Sequence, residues 1–246
     1  MSKVAPVEIE FAGIWVYLAA SPLLGLTLTL VAFQLSIWLN RLLGGTALAH
    51  PVMLSMAMLI ALLLLTDTSY QSYFEGAQFI HFLLGPATVA LAVPLYDNLE
   101  RVKRMLLPLL IACISGAVTA AASAVLVAKL LGAEPATLAS IAPKSVTTPI
   151  AMGVSEVLGG IPALTASMVL VTGTIGCVVA PWLFRRLRVR DESVQGFALG
   201  LAAHGFGTAQ AFGISAVAGA FAGLGLGLTG VVTAFLLPLF MRLFLS

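Results

Sequence analysis

Long apolar runs separated by short polar interruptions cover almost the whole chain. The apolar segments lie near residues 13–39, 47–66, 79–96, 105–131, 163–185, 196–213 and 215–241. Several exceed the roughly 18 apolar residues that are typical of a membrane-spanning helix. The pattern predicts an all-α polytopic membrane protein with about seven to eight transmembrane segments. We expect residues 1–246 to form a single integral membrane domain.

Composition supports a chain that faces lipid rather than water. Hydrophobic residues make up 60% of its 246 residues and charged residues only 9%, whereas soluble domains contain about 25% charged residues. The stretch Gly13 to Leu39 is too long for a signal peptide, so we interpret it as a retained helix. Cys113 and Cys177 lie within apolar runs, where buried, unpaired thiols are expected.

Basic residues predict how the chain is oriented in the membrane. They form two clusters, at 101–104 and 185–190, whereas the loop 67–75 is acidic. Lys and Arg in short loops mark the cytoplasmic side. If residues 105–131 leave the cytoplasm and 163–185 return to it, the segment between them begins and ends outside. We therefore predict that residues 142–162 are broken or re-entrant.

A weak internal repeat suggests the inverted-repeat architecture of secondary transporters. "LLGG" at 42–45 is similar to "VLGG" at 157–160, and each is followed by a proline that opens an apolar segment, Pro51 and Pro162. The loops that come next carry opposite charge, as equivalent loops of an inverted repeat would. We predict inverted repeats over 13–131 and 136–246, with broken helices, as in many secondary transporters.

Lys144 is the principal candidate for binding an anion. It lies in "APKSVTTPIAMGVSEVLGGIP" at 142–162, beside Ser145, Thr147, Thr148 and Pro149. An ionisable residue at membrane depth usually marks a substrate or ion path, although a lysine can also snorkel to the interface. A helix that starts near Pro149 would direct its positive dipole end to the same place. Glu156 either couples transport to protons or lies at the external mouth.

Two other interrupted segments carry candidate residues. "LLGPATVALAVPLYDN" at 83–98 contains Pro86 and Thr88, and its prolines make either a simple kink or a functional break. "GLAAHGFGTAQA" at 200–211 contains His204, Gly207 and Thr208. His204 is either a satisfied structural residue or a group that carries a proton near neutral pH.

Other chemistries fit the sequence less well. It contains no HExxH, paired-cysteine, Walker or dinucleotide motif, so we expect no metal, no cofactor and no nucleic-acid partner. Ser145 with Lys144 or His204 could make an intramembrane hydrolase, but no third group that would orient the pair is visible. We expect no enzymatic activity. The glycines at 219–230 suit close helix packing rather than phosphate binding.

The three interrupted segments, in this order and spacing, resemble the antiholin-like LrgB family from about Pro51 to the C-terminus. That family includes bacterial LrgB and CidB proteins and the LrgB-like half of the plastidal glycolate/glycerate translocator. The resemblance implies a multi-pass inner-membrane protein that often works with an LrgA-type membrane partner. It also implies control of murein hydrolases in some members and transport of pyruvate, glycolate or glycerate in others.

Motif positions that match the family are Pro86, Thr88 and Pro94, then 143–149, then Gly159, Gly160 and Pro162, and finally His204, Gly207 and Thr208. The chain departs from the family pattern at His50, where Asn is frequent, and at Gln210, where Arg is frequent. The absent arginine leaves Lys144 as the principal cation for a carboxylate.

We therefore predict a secondary transporter of small monocarboxylates, possible partners being an LrgA-type protein and further copies of this chain. Lys144 would bind the carboxylate, and His204 or Glu156 would couple its movement to protons. The alternative is an antiholin-like regulator that modulates a murein hydrolase or a holin-type pore and carries nothing. A passive channel is a third possibility.

Overall fold

The computed structural model describes residues 22–46, 49–90 and 92–245, and every regular element in these ranges is a helix. In chain order they are α1 (Pro22–Leu42), α2 (Pro51–Leu65), α3 (Tyr70–Ala90), α4 (Ala92–Asp97), α5 (Leu99–Arg104), α6 (Leu106–Leu130), α7 (Pro135–Ile141), α8 (Thr148–Val157), α9 (Pro162–Arg186), α10 (Glu192–Ile214) and α11 (Ala216–Leu245). The chain divides into two compact units, one ending at Thr88 and one beginning at Val89.

Within the N-terminal unit, α1 packs against both α2 and α3. The Ser36 hydroxyl on α1 lies 3.7 Å from the Met58 sulfur on α2, and the hydroxyls of Thr29 and Tyr73 lie 2.7 Å apart. Asn40 donates to two carbonyls in the turn after α1. These bonds fix the direction in which the chain enters α2.

The two glycine motifs noted in the sequence adopt similar local structures. Gly44 and Gly159 both follow a helix end with left-handed φ values of 75° and 77°, a conformation that favours glycine. Pro51 and Pro162 are the first residues of α2 and α9, where a missing N–H costs nothing. The local motif is therefore repeated, while the larger inverted repeat stays a prediction.

Four helices among the described residues are long and apolar enough to cross a membrane: 23–42, 106–130, 162–186 and 216–241. They belong to α1, α6, α9 and α11. Helix α2 is apolar but has only 15 residues. The protein is thus a helical membrane protein, and the larger number of spans expected from the sequence stays a prediction.

Helix α10 folds back on itself, contrary to the single apolar segment that the sequence suggests at 196–213. The Ser215 hydroxyl, just after α10, donates to the Glu192 carboxylate at its start over 2.7 Å. A straight helix would hold these two residues about 35 Å apart. The reversal occurs at His204, where φ is 41° and ψ is −125°.

Two further observations support this hairpin. The Leu199 carbonyl lies where a Cβ on Gly207 would be, and Leu199 shares a buried cluster with Ala211. The arms, 192–203 and 205–214, are roughly 18 and 15 Å long at 1.5 Å per residue. A bilayer core is about 30 Å thick, so neither arm is long enough to cross one.

The segment 142–162 is broken, as predicted. The seven residues of α7 and the ten of α8 are joined by a turn at 142–147. The Ile161 amide donates to the Ser140 hydroxyl at 2.7 Å, and the Thr165 hydroxyl donates to that of Ser155 at 2.7 Å. These bonds show that α8 returns beside α7 and then runs antiparallel to the first half of α9.

The remaining interrupted segment shows no break at either proline, and its residue 91 lies outside the described part of the chain. Helix α3 continues through Pro86, and Pro94 lies inside the short helix α4. The Asn98 side chain donates to the Pro94 carbonyl at 2.8 Å, which closes the turn between α4 and α5.

The outgoing arm of α10 is packed directly on the backbone of α11. A Cβ on Gly196 or Gly200 would collide with the carbonyls of Ala218 and Ala222. The two helices therefore approach as closely as small residues allow. The sequence predicted close packing by the glycines of α11, whereas Gly196 and Gly200, which make this contact possible, belong to α10.

Buried apolar clusters lie beside the contact between α10 and α11 and at the far end of α11. One contains Cys113 with Phe197 and Phe221, and another joins α6, α7, α8 and the end of α11. Cys113 and Cys177 are fully buried and unpaired, which confirms the expectation for the thiols.

Candidate functional site

Lys144 and Ser145 line a cavity of about 710 Å³ in the C-terminal unit. Its other walls come from α6, α9 and the outgoing arm of α10. Most of these wall residues are small or apolar, among them Gly116, Gly176 and Ala202. Small residues leave the space, and a few polar groups are directed into it, which is the usual composition of a ligand site.

The amine of Lys144 has little to neutralise it. The residue is half-buried, and its Nζ donates to the Ser145 hydroxyl over 3.3 Å. Among the residues described, no carboxylate forms an ion pair with it. An ammonium group has three donors, so Lys144 retains donors for an acceptor in the cavity.

The cavity lies at the middle of the long helices. Thr172 and Gly176 line it and flank the midpoint of α9, which has 25 residues and is about 37 Å long. The lining residues of α6 fall between 112 and 120, again near the middle of that helix. The turn that carries Lys144 is therefore half-way along the helices that could cross the membrane.

His204 occupies the tip of the α10 hairpin and packs on the same part of α9. Its Nε2 lies 3.0 Å from the Val169 carbonyl oxygen, and its ring fills the space that a side chain at Gly173 would need. A carbonyl only accepts, so Nε2 carries the proton and donates. The two hairpin tips, one with Lys144 and one with His204, thus reach the same stretch of α9, residues 169–176.

A model of the LrgB-like family matches residues 29–243, most of the chain. This chain belongs to the LrgB-like family. A protein of Bacillus subtilis (strain 168), named Uncharacterized protein YwbG, is 39% identical over 183 residues, which are 74% of this chain and 81% of that protein. The Antiholin-like protein LrgB of Bacillus mycoides (strain KBAB4) is 31% identical over 221 residues, 90% of this chain and 96% of that protein. No solved structure gives a significant match.

The other candidates on the Lys144 segment lie outside the lining of the cavity. Thr147 and Thr148 are half-buried at the start of α8, and Pro149 is exposed beside them. Thr147 makes no side-chain capping bond to α8, which leaves amides of the first turn free for other acceptors. Glu156 is exposed near the end of α8. Only Lys144 and Ser145 of this LrgB segment reach the cavity itself.

The remaining motif residues of the LrgB family support the hairpin tip. Thr208 donates to the His204 carbonyl at 2.9 Å, and Gly207 permits the close approach to Leu199. Pro86 belongs to the N-terminal unit, where it is exposed within α3. The Thr88 side chain lies outside the part of the chain that the structure describes.

Three polar residues of the cavity were missed in the sequence. Ser115 and Thr119 of α6 and Thr172 of α9 all line it. Each is a hydroxyl in a long apolar helix, and such residues commonly bond to their own backbone, as Ser115 does with the Ile111 carbonyl at 2.6 Å. Only the fold shows that they surround one space.

Chemically, the cavity combines one cation with several hydroxyls. Such a set can bind a small anion that has further hydrogen-bonding atoms. Within the described ranges, no group of three or more His, Cys, Asp or Glu side chains is arranged to hold a metal ion.

Proposed function

We propose that this LrgB-family protein is a secondary transporter of small monocarboxylates, the class of pyruvate, glycolate and glycerate. The observation that carries the proposal is the Lys144 amine, which lies in a cavity at the middle of α6 and α9 and has no carboxylate partner among the described residues. A carboxylate would supply the missing charge, and Ser145 would stay its hydrogen-bonded neighbour. Burial strengthens the attraction, because the effective dielectric constant falls well below that of water.

The two hairpins suggest how access to the site would alternate. The basic residues before α6 and after α9 favour a cytoplasmic location for those ends. On that orientation the Lys144 hairpin enters from outside and the His204 hairpin from the cytoplasm. Re-entrant segments that meet near the midplane are a recurring feature of secondary transporters. Both hairpins lie within the second predicted repeat, 136–246, so they support alternating access and not the repeat itself. We propose a multi-pass protein of the inner membrane, with two inverted repeats that rest on the similar motifs at 42–51 and 157–162.

The remaining roles follow from where the side chains lie. Ser115, Thr119 and Thr172 would orient the anion in the cavity. Thr147, Thr148 and Pro149 would act through the free amides at the start of α8. His204 would couple movement to protons through its position at the hairpin tip, and Glu156 would act at the outer mouth.

Uptake into proteoliposomes that contain this chain alone tests the proposal. Labelled pyruvate and glycolate would be supplied with and without an imposed pH gradient, for the wild type, Lys144→Met and Lys129→Met. Lys129 is an exposed lysine at the end of α6 and serves as the matched control. We expect saturable uptake that is abolished only in Lys144→Met. Absence of uptake in folded protein, even with an LrgA-type partner added, would contradict transport of these substrates.

Water access to the cavity can be measured separately. Thr119→Cys places a thiol on its wall, while the natural thiols Cys113 and Cys177 are fully buried. A water-soluble, charged thiol reagent should modify the new cysteine and spare the natural ones. Protection by added substrate, lost in a Lys144→Met background, is the expected result. Labelling that substrate leaves unchanged would argue against binding in this cavity.

A regulatory, antiholin-like membrane protein is the second candidate, and the names of relatives that match 90% of the chain favour it. On this view the chain modulates a murein hydrolase or a holin-type pore and acts in oligomers or with an LrgA-type partner. Cell lysis and murein hydrolase activity are the assays. Lys144→Met should leave a pure regulator intact, whereas Gly225→Leu, where α11 approaches the Phe197 carbonyl, should alter it. Flux that does not saturate would instead indicate a passive channel.

A further inference from the structure

A second cavity, of about 620 Å³, lies where α9 ends and the two arms of α10 begin and end. Its charged and polar lining consists of Arg185, Arg188, Arg190, Gln195 and Gln210. It lies at the opposite end of the α10 arms from the His204 tip. No role proposed above uses it.

Nothing in the described ranges neutralises the three guanidinium groups in this lining. No carboxylate there forms an ion pair with them. The nearest acids along the chain bond elsewhere: Asp191 pairs with Arg101 over 2.7 Å, and Glu192 accepts from Ser215. A preference for basic residues at the cytoplasmic side explains their presence in the loop. That preference does not require three arginines to line one cavity.

Gln210 lines the same cavity and carries an unsatisfied polar atom. Its Oε1 is buried and has no hydrogen-bond partner among the described residues. An unpaired buried polar atom is costly, so such atoms are rare unless a ligand or water completes their hydrogen bonds. Since Gln210 lies on the returning arm of α10, a ligand that satisfied it would also contact the arm opposite the arginines.

The loop that carries the arginines has a defined conformation. Arg188 has a φ of 56°, a left-handed value that favours glycine over arginine. The Val189 amide donates to the Phe184 carbonyl at 2.9 Å, and the Gln195 side chain donates to the Val189 carbonyl at 2.7 Å. These bonds tie the loop to both α9 and α10 and hold it over the cavity.

We propose that this cavity binds a phosphate ester whose organic part bears a hydroxyl group. Three guanidinium groups without a carboxylate partner present fixed forks of donors, which suit phosphate oxygens. The organic hydroxyl donates to Gln210 Oε1 after a rotation of that side chain brings the buried atom into the cavity. The volume suits a group larger than inorganic phosphate. The ester comes either from the headgroup of an anionic phospholipid or from a soluble metabolite of the same chemistry.

Binding to the purified full chain in detergent tests this site without any transport measurement. Dioleoylphosphatidylglycerol provides the lipid source and glycerol 3-phosphate the soluble one. Dioleoylphosphatidylcholine is the control lipid, because its ammonium group cancels the phosphate charge. The readouts are mass spectrometry of the intact complex and the shift of the thermal transition with ligand concentration, which ligand binding raises.

Four variants separate the site from general electrostatics. Arg188→Gly removes a charge and suits the left-handed backbone, so it should fold; Arg190→Gln removes a second charge, and Gln210→Leu removes the amide. Arg186→Gln is the matched control, because Arg186 is exposed in the same run but does not line the cavity. Arg188→Gly and Arg190→Gln should each weaken binding about tenfold, the typical value of one charge-assisted hydrogen bond, and Gln210→Leu, which removes a neutral hydrogen bond, should weaken it about fivefold. Arg186→Gln should change it less than about twofold.

The outcomes are distinct. Phosphatidylglycerol binding with this variant pattern supports the site and assigns the lipid source, and the same pattern with glycerol 3-phosphate assigns the soluble source. Binding of neither ligand would overturn the proposal. So would equal weakening by Arg186→Gln, or equal binding of phosphatidylcholine, since either would mean that the loop attracts lipids only non-specifically.

Discussion

The hairpin turn at His204 leads to a prediction about which small residue that position tolerates. The backbone there has φ 41° and ψ −125°, a region that costs a residue with a Cβ about 1–3 kcal/mol. His204→Ala and His204→Gly both remove the buried ring and its bond to Val169. Only the glycine variant relieves the backbone strain. Glycine loses about 0.5–1 kcal/mol more conformational entropy on folding than alanine does.

The balance favours glycine, so the His204→Gly variant should be more stable than His204→Ala by about 1 kcal/mol. In a chain of this size that is a difference of roughly 2–4 °C in the thermal midpoint. Tryptophan fluorescence and circular dichroism of the protein in detergent would measure it. Ala209→Gly is the control, because Ala209 is exposed on a regular part of the same helix.

At position 209 glycine should destabilise by about 1 kcal/mol, as in any helix interior. The sign of the effect should thus differ between two positions five residues apart. If glycine proves less stable than alanine at 204 by the amount seen at 209, the turn does not exist and α10 is a continuous helix.

Two further outcomes follow from the packing and the charges. Gly200→Ala should destabilise the protein by about 2 kcal/mol, because the new Cβ would collide with the Ala222 backbone. Gly227→Ala, where no atom lies within 4 Å of the new Cβ, should be neutral or slightly stabilising. Equal thermal midpoints of the two variants would contradict the close contact between α10 and α11. A hydrogen bond from the Ser193 hydroxyl lowers the pKa of the Asp191 carboxyl. This bond therefore stabilises the fold at neutral pH. The stabilisation is lost as the pH falls below the ordinary carboxyl pKa of about 3.9 and through the lowered pKa. Asp191→Asn should remove that acid-induced loss of stability, and an unchanged pH profile would show that the bond contributes nothing.

Some of the site could be predicted because its residues conflict with their surroundings. Lys144 lies between two prolines in a chain with only 9% charged residues. A lysine in such a segment is expected either to bind a ligand or to reach the membrane interface. Lys144 and Ser145 do line a cavity. The break at 142–162 could be predicted for the same reason, since prolines and glycines end helices.

The fold-back of α10 could not be predicted from hydrophobicity. Both arms are apolar, and a turn of one residue leaves no polar loop in the sequence. Histidine is also an unusual choice for a conformation that favours glycine. The glycines around His204 were a signal of close approach, but nothing in the sequence indicated that the Leu199 backbone is what Gly207 approaches.

The hydroxyls of the cavity illustrate a different limit. Thr119 and Thr172 are separated by more than fifty positions, and each lies in a long apolar helix. Hydroxyls in such helices are common and usually satisfied locally. Their convergence depends on how α6 and α9 pack, which is a property of three-dimensional structure alone.

The contact between the outgoing arm of α10 and α11 has a mechanical consequence. Backbones in direct contact cannot approach any further, so a displacement of the arm towards α11 pushes α11 with it. The far end of α11 packs through Leu237 and Met241 on α6, α7 and α8. Helix α11 has 30 residues and is about 45 Å long, so a tilt of about 5° at the hairpin displaces that far end by about 4 Å. A small displacement of the His204 hairpin is thereby enlarged at the far end of α11, which contacts the Lys144 hairpin.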